Sequence, residues 1–229
     1  MPRLGPEAPL QLRIFHDTPC LMLVTDRKLA GGETALVKAV AEGVRGGVNA
    51  VQLREKDMSA DELLRLTRRL RDVTAGQALL LVNGPLDVAL ACGADGVHLP
   101  EAVAMIERPA RPFLIGRSVH SVEAAERAAE ERCDHVIAGP VYETTSHVGL
   151  RAAGPRLVGE VAANVAMPVL AIGGITADRL EEVIASGASG VAVISAILAS
   201  DQPAAAARKL RFSLDAAWRG RERQARIVL

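Results

Sequence analysis

Several short segments put polar residues or glycines directly after apolar runs, where a buried strand would end and its side chains would meet solvent or a ligand. Ala50–Leu53 runs into Arg54-Glu55-Lys56. Side chains two apart on a strand share a face, so Gln52, Arg54 and Lys56 are expected to point together. Arg grips an anion through two parallel N–H groups, whereas Lys offers a point charge. A local Arg54–Glu55 ion pair is the plainer alternative. Asn83 follows the run Ala78–Val82, and Glu101 follows Gly96–Leu99. Ser118 and His120 follow Leu114–Arg117. An imidazole titrating near pH ~6.5 can take and give a proton at neutral pH, unless His120 only caps the turn. Glu143 and Thr144 lie in the polar loop Gly139–Gly154, after His135–Ala138. Two late runs end at Gly173-Gly174 and at Ile194-Ser195. Glycine lets a ligand approach the backbone, and a helix opening at Ser195 would aim its N-terminus at an anion. A tight turn is the competing explanation for the glycine pair. Among the other histidines, His98 is expected in the core and His135 on the opposite face of its strand, while His16 lies in the N-terminal arm and His147 in the polar loop.

These ends need a frame that gathers them on one rim. Apolar runs begin at Cys20, Ala50, Ala78, Gly96, Leu114, His135, Pro168 and Gly190, alternating with helical patterns. Continuous apolar strands are those buried on both faces of a parallel sheet. The count favours a single α/β (β/α)8 TIM barrel with a parallel eight-stranded core, whose chemistry sits at the C-terminal strand ends. Phosphate binds such barrels in the loops after strands seven and eight, where Gly173, Gly174, Ile194 and Ser195 fall. The expected division is an N-terminal arm over 1–19, the barrel over 20–219 and a C-terminal tail over 220–229. The closing helix is expected over Pro203–Trp218. Ser59 and Glu62 form a capping box for the helix after strand two.

Of 229 residues, 49% are hydrophobic, 24% charged and 2% aromatic, with a formal net charge of +0. A nucleic-acid binder would show a basic excess and stacking aromatics. No apolar run reaches the ~18 residues of a membrane span. Cys20, Cys92 and Cys133 lack metal spacing and read as buried free thiols of a cytoplasmic protein. No nucleic acid or membrane is expected as a partner. A homodimer is.

Gln52-Leu53-Arg54-Glu55-Lys56, Val82-Asn83, Gly96-Val97-His98-Leu99, Gly116-Arg117-Ser118-Val119-His120-Ser121, Gly139-Pro140-Val141-Tyr142, Gly173-Gly174-Ile175 and Val193-Ile194-Ser195 occur in that order. Over about residues 20–217 the chain thereby resembles the thiamine phosphate synthase/TenI superfamily. The resemblance implies a TIM barrel acting on a phosphorylated thiazole. Its synthase branch joins hydroxymethylpyrimidine diphosphate to thiazole phosphate, using Mg²⁺ held by two aspartates. The matching places here are Gly84 and about Val103, with Glu101 nearby, and the branch's Thr-x-Thr-Lys run reads Thr144-Thr145-Ser146-His147. Gly and Val offer no carboxylate oxygen to a hard cation.

The TenI-like branch carries Asn-Gly, His-Leu-Pro, Gly-Arg-Ser-Val-His-Ser and an aromatic-Glu-Thr run, matched here through Tyr142-Glu143-Thr144. It aromatises a carboxylated ylidene thiazole ethyl phosphate by a metal-free proton shift attributed to a His at the His120 position. The expectation is therefore a thiazole tautomerase, an isomerase with His120 as acid/base and no metal or cofactor. Its substrate site comprises Gln52, Arg54, Lys56, Asn83, Ser118, Glu143, Thr144, Gly173, Gly174, Ile194 and Ser195. The alternatives are a thiamine phosphate synthase with Mg²⁺ and a non-catalytic regulator that binds thiazole phosphate.

Overall fold

The apolar runs form the strands of a barrel closed in sequence order. The computed structural model describes Ile14 and residues 18–110, 112–144 and 151–227. The rest of the expected N-terminal arm and the positions of His16, Thr145, Ser146 and His147 lie outside the described residues. Strands β1 (Cys20–Val24), β2 (Ala50–Leu53), β3 (Leu79–Val82), β4 (Gly96–Leu99), β5 (Leu114–Val119), β6 (His135–Ala138), β7 (Val169–Ile172) and β8 (Gly190–Val193) pair in parallel. Pairing of β1 with β8 closes the ring, as in a (β/α)8 barrel.

Helices α1 (Glu33–Arg45), α2 (Ala60–Thr74), α3 (Leu86–Ala91), α4 (Val122–Glu130), α5 (Gly154–Asn164), α6 (Leu180–Ala185), α7 (Ser195–Leu198) and α8 (Pro203–Ile227) cover the strands. Among the described residues between β4 and β5, 101–110, 112 and 113, there is no helix. The buried side chains Leu63, Leu66 and Leu70 of α2 recur at a helix's period, so one face of it meets the barrel. The expected capping box is formed. Ser59 Oγ accepts from the Glu62 N–H at 3.4 Å, and Ser59 N–H donates to Glu62 Oε2 at 2.7 Å. Ser59→Ala is expected to lower unfolding free energy by about 1 kcal/mol, measured by urea denaturation.

Two expectations change in the barrel wall. β5 continues to Val119, because Ser118 and Val119 still pair with Ile137 and Ala138 of β6. Ser118 is thus a strand residue. His135 shares the barrel interior with His98, correcting its expected placement on the opposite face. Register puts His98 beside Gly116 and Gly116 beside His135, and the two imidazole rings lie 5.8 Å apart. A Cβ at Gly116 would lie 2.3 Å from the His135 ring and 2.7 Å from His98 Nδ1. Glycine between them is what lets both rings fit. Burial keeps both neutral: desolvation holds His98 well below its ordinary value and brings His135 down to about 4.

At the C-terminal end, α8 runs past its expected end at Trp218. Arg221 donates to the carbonyls of Ile184 and Ala188, at 3.3 and 2.6 Å, and its guanidinium stacks 4.1 Å from the Trp218 ring. These bonds tie Arg221 to the segment leading into β8. All three cysteines are free, but only Cys20 and Cys133 are buried as expected, Cys92 being half-buried; burial pushes the Cys20 thiol up to about 12. Among the described residues, no helix is long and apolar enough to cross a membrane.

Candidate active site

The C-terminal rim holds two cavities that share Ile172 and Ile194 in their walls. The first is lined by Gln52, Arg54, His98, Ser118 and His120, with Val24, Ile137, Gly139 and Pro140. No carboxylate lines it among the described residues. Gln52 is 3% exposed and its Oε1 has no hydrogen-bond partner among them. A buried acceptor left open at a cavity wall suits a ligand donor.

Arg54 follows the end of β2, its backbone N–H donating to Thr25 Oγ1 at 2.9 Å. Burial lowers the pKa of its guanidinium, while the charges of Asp26 and Glu55 raise it. The alternative of an Arg54–Glu55 ion pair is not what forms. Glu55 binds Arg27 instead, through the backbone N–H at 3.0 Å and Nη1 at 3.1 Å. Arg27 also meets Asp57 at 2.6 and 3.0 Å. Arg54 is left facing the cavity without an ion-pair partner among the described residues. Lys56 does not join it. The strand ends at Leu53, the chain turns, and Lys56 stands exposed.

His98 and Ser118 project inward from β4 and β5, with Nε2 and Oγ 2.9 Å apart. His98 Nδ1 is buried without a hydrogen-bond partner. The tautomer with no unpaired N–H carries its proton on Nε2, which donates to Ser118 and leaves the hydroxyl free to donate into the cavity. His98, expected only as core, is therefore a site residue. Its inward register beside the bare Gly116 was the available signal. Asn83 lines neither cavity, but its Nδ2 donates to the His98 carbonyl at 2.8 Å and ties β3 to β4.

His120 pairs with Glu101, which the sequence puts on the rim after β4 and near a metal position but not against His120. Glu101 Oε2 accepts from the His120 backbone N–H at 2.9 Å and lies 2.7 Å from Nδ1. Arg127 Nη2 lies 3.9 Å from Oε1. The loop that carries Glu101 is pinned by Arg117, whose Nη1 donates to the carbonyls of Glu101 and Val103 at 3.1 and 2.8 Å. With Nδ1–H donated to the carboxylate, Nε2 is the imidazole's remaining working atom.

The second cavity is lined by Thr144, Ile172–Ile175 and Ala192–Ala196. Gly173 and Gly174 have φ of 102° and 61°, which glycine adopts readily. The loop after β6 props this turn. Tyr142 N–H donates to the Gly173 carbonyl at 3.0 Å. Arg179 Nη1 donates to the Gly174 carbonyl at 2.6 Å and its guanidinium covers the Tyr142 ring at 4.3 Å. Tyr142 OH donates to Glu182 Oε2 at 2.7 Å, and burial followed by this bond pushes the phenol up to about 12. Glu143 is exposed and lines neither cavity. The geometry brings Gln52, Arg54, Ser118 and His120 into one cavity, and Thr144, Gly173, Gly174, Ile194 and Ser195 into its neighbour.

Comparison with known proteins gives this rim a family. The thiamine monophosphate synthase family profile matches residues 21–197. The chain is 42% identical over 200 residues to a thiamine-phosphate synthase of Methanoregula boonei, covering 83% of this chain and 91% of that protein. It is 38% identical over 186 residues to a putative thiamine-phosphate synthase 2 of Aquifex aeolicus, covering 80% and 99%. Among solved structures, a thiamine phosphate pyrophosphorylase from Pyrococcus furiosus superposes with a TM-score of 0.76 at 33% identity, covering 86% and 96%. These findings overturn the expected tautomerase. That expectation leaned on four short loop runs, whereas the relatives match over most of the chain and carry the synthase name. On this evidence the chain belongs to the thiamine monophosphate synthase family.

Proposed function

We propose that the protein is a transferase that joins hydroxymethylpyrimidine diphosphate to thiazole phosphate. The observation that carries this reading is the two-part site: a glycine-lined cradle beside a cavity with two basic side chains. Both substrates are anions, and each part offers one of them a place. The cradle at Gly173, Gly174 and Ser195 suits the monophosphate of the thiazole. Ile172 and Ile194, common to both walls, suit its ring. Arg54, Ser118 and His120 then face the reacting ends. Holding two reactants in line is itself catalytic, worth up to about 7–11 kcal/mol in well-oriented systems.

The test is to incubate both substrates with the protein, with and without Mg²⁺, and to detect thiamine phosphate by mass spectrometry. Product is expected. Thiazole phosphate that binds but yields no product under either condition would replace this reading with the regulator.

A further inference from the structure

The reaction proposed above expels diphosphate, and the resemblance implies Mg²⁺ on two aspartates to hold that charge. The residues of this chain do not fit the ion. Gly84 has no side chain, and Val103 is aliphatic and 44% exposed. Glu101 is the carboxylate left nearby, and its Oε2 is already taken by two bonds from His120. No group of three His, Cys, Asp or Glu that suits a metal occurs among the described residues. Magnesium takes oxygen ligands in near-octahedral array, usually including one or two carboxylates.

The neighbouring cavity is built for the opposite charge. Arg54 lines it, partly desolvated and without an ion-pair partner among the described residues, because Arg27 has claimed Glu55. His120 lines it too, held through Nδ1 by Glu101. We propose that Arg54 and the Glu101-oriented imidazole of His120 take the charge of the leaving diphosphate, so that coupling proceeds without a divalent cation. The inference rests on the transferase reading.

The bond from the pyrimidine's methylene carbon to the diphosphate oxygen breaks, and its electron pair leaves on that oxygen. The lone pair of the thiazole nitrogen forms the new carbon–nitrogen bond, giving a thiazolium. The proton on His120 Nε2 passes to the departing diphosphate, leaving a neutral imidazole. Glu101 holds Nδ1–H and so keeps Nε2 aimed into the cavity during the transfer. Arg54 presents two parallel N–H groups to the phosphoryl oxygens. His98 is neutral and serves only to hold Ser118.

Two measurements test this. In EDTA, titration calorimetry is expected to show inorganic pyrophosphate binding to the wild-type protein. Arg54→Ala should weaken that binding by about 10–100-fold, the loss expected for charge-assisted hydrogen bonds. Single-turnover coupling in EDTA is expected to match that in Mg²⁺. Coupling that appears only with Mg²⁺ would overturn the inference and leave the transferase intact. Pyrophosphate binding unchanged by Arg54→Ala would remove Arg54 from the site and overturn the inference equally. If pyrophosphate binds as expected but no coupling occurs under either condition, the transferase reading itself fails, and the proton transfer with it.

Discussion

His120→Gln is expected to slow single-turnover coupling by about 10²–10⁴-fold, the usual contribution of a positioned acid or base. Glutamine keeps polarity and much of the side chain's reach, but it cannot deliver a proton. Stability should change little, because the His120 side chain is 44% exposed and stands outside the core. Glu101→Gln tests the orienting role. Its amide oxygen can still accept from Nδ1–H, but the bond is no longer charge-assisted and orients the ring less firmly. The rate should therefore fall less than in His120→Gln. The double variant should be no slower than His120→Gln alone, since groups that act as a unit are not additive. Additive losses would mean that the two side chains work independently.

The barrel was legible because parallel strands buried on both faces read as plain apolar runs, as in Leu79–Val82 and Gly190–Val193. Gly173, Gly174, Ile194 and Ser195 were legible for the same reason: they terminate two such runs and so fall on one rim. What sequence spacing missed were contacts between elements. Arg54 and Glu55 are adjacent in the chain, yet Arg27, reaching across from the end of β1, binds Glu55 first. Strand alternation would place Lys56 beside Arg54 only if β2 continued beyond Leu53, where the chain already turns. Glu101 and His120 are 19 residues apart and meet because Arg117 fastens the intervening loop. No periodicity encodes that meeting. His98 reads as core in Gly96-Val97-His98-Leu99, and it is buried. Its role comes from Ser118 on the next strand. The tautomerase expectation failed in a related way, by weighing short loop runs above similarity spread along the whole barrel.

Gly173→Ala is expected to weaken binding of the phosphorylated substrate by about 10²-fold, the equivalent of roughly 3 kcal/mol. Two effects combine. The φ of 102° at this position is one that a residue with a Cβ adopts only at a cost of about 1–3 kcal/mol. The added Cβ would also sit 2.8 Å from both Cα and Cβ of Pro140. Neither atom can swing aside, because Pro140 lies in the loop whose next residue, Val141, donates its N–H to the Ile172 carbonyl at 2.8 Å. Overpacking of this kind costs about 1–3 kcal/mol. The strain should appear in binding more than in folding. Strand β7 ends at Ile172, so an outward shift of Gly173 would cost its bond from Tyr142 N–H but no bond of the barrel ladder, and the cradle would shift with it. Titration with thiazole phosphate, beside a thermal melt, separates the two. Gly31→Ala is the control for backbone strain alone, since its φ is 85° and nothing lies within 4 Å of the added Cβ. That variant should lose some stability and bind as the wild type does. Wild-type affinity in Gly173→Ala would mean that the phosphate does not sit against this turn.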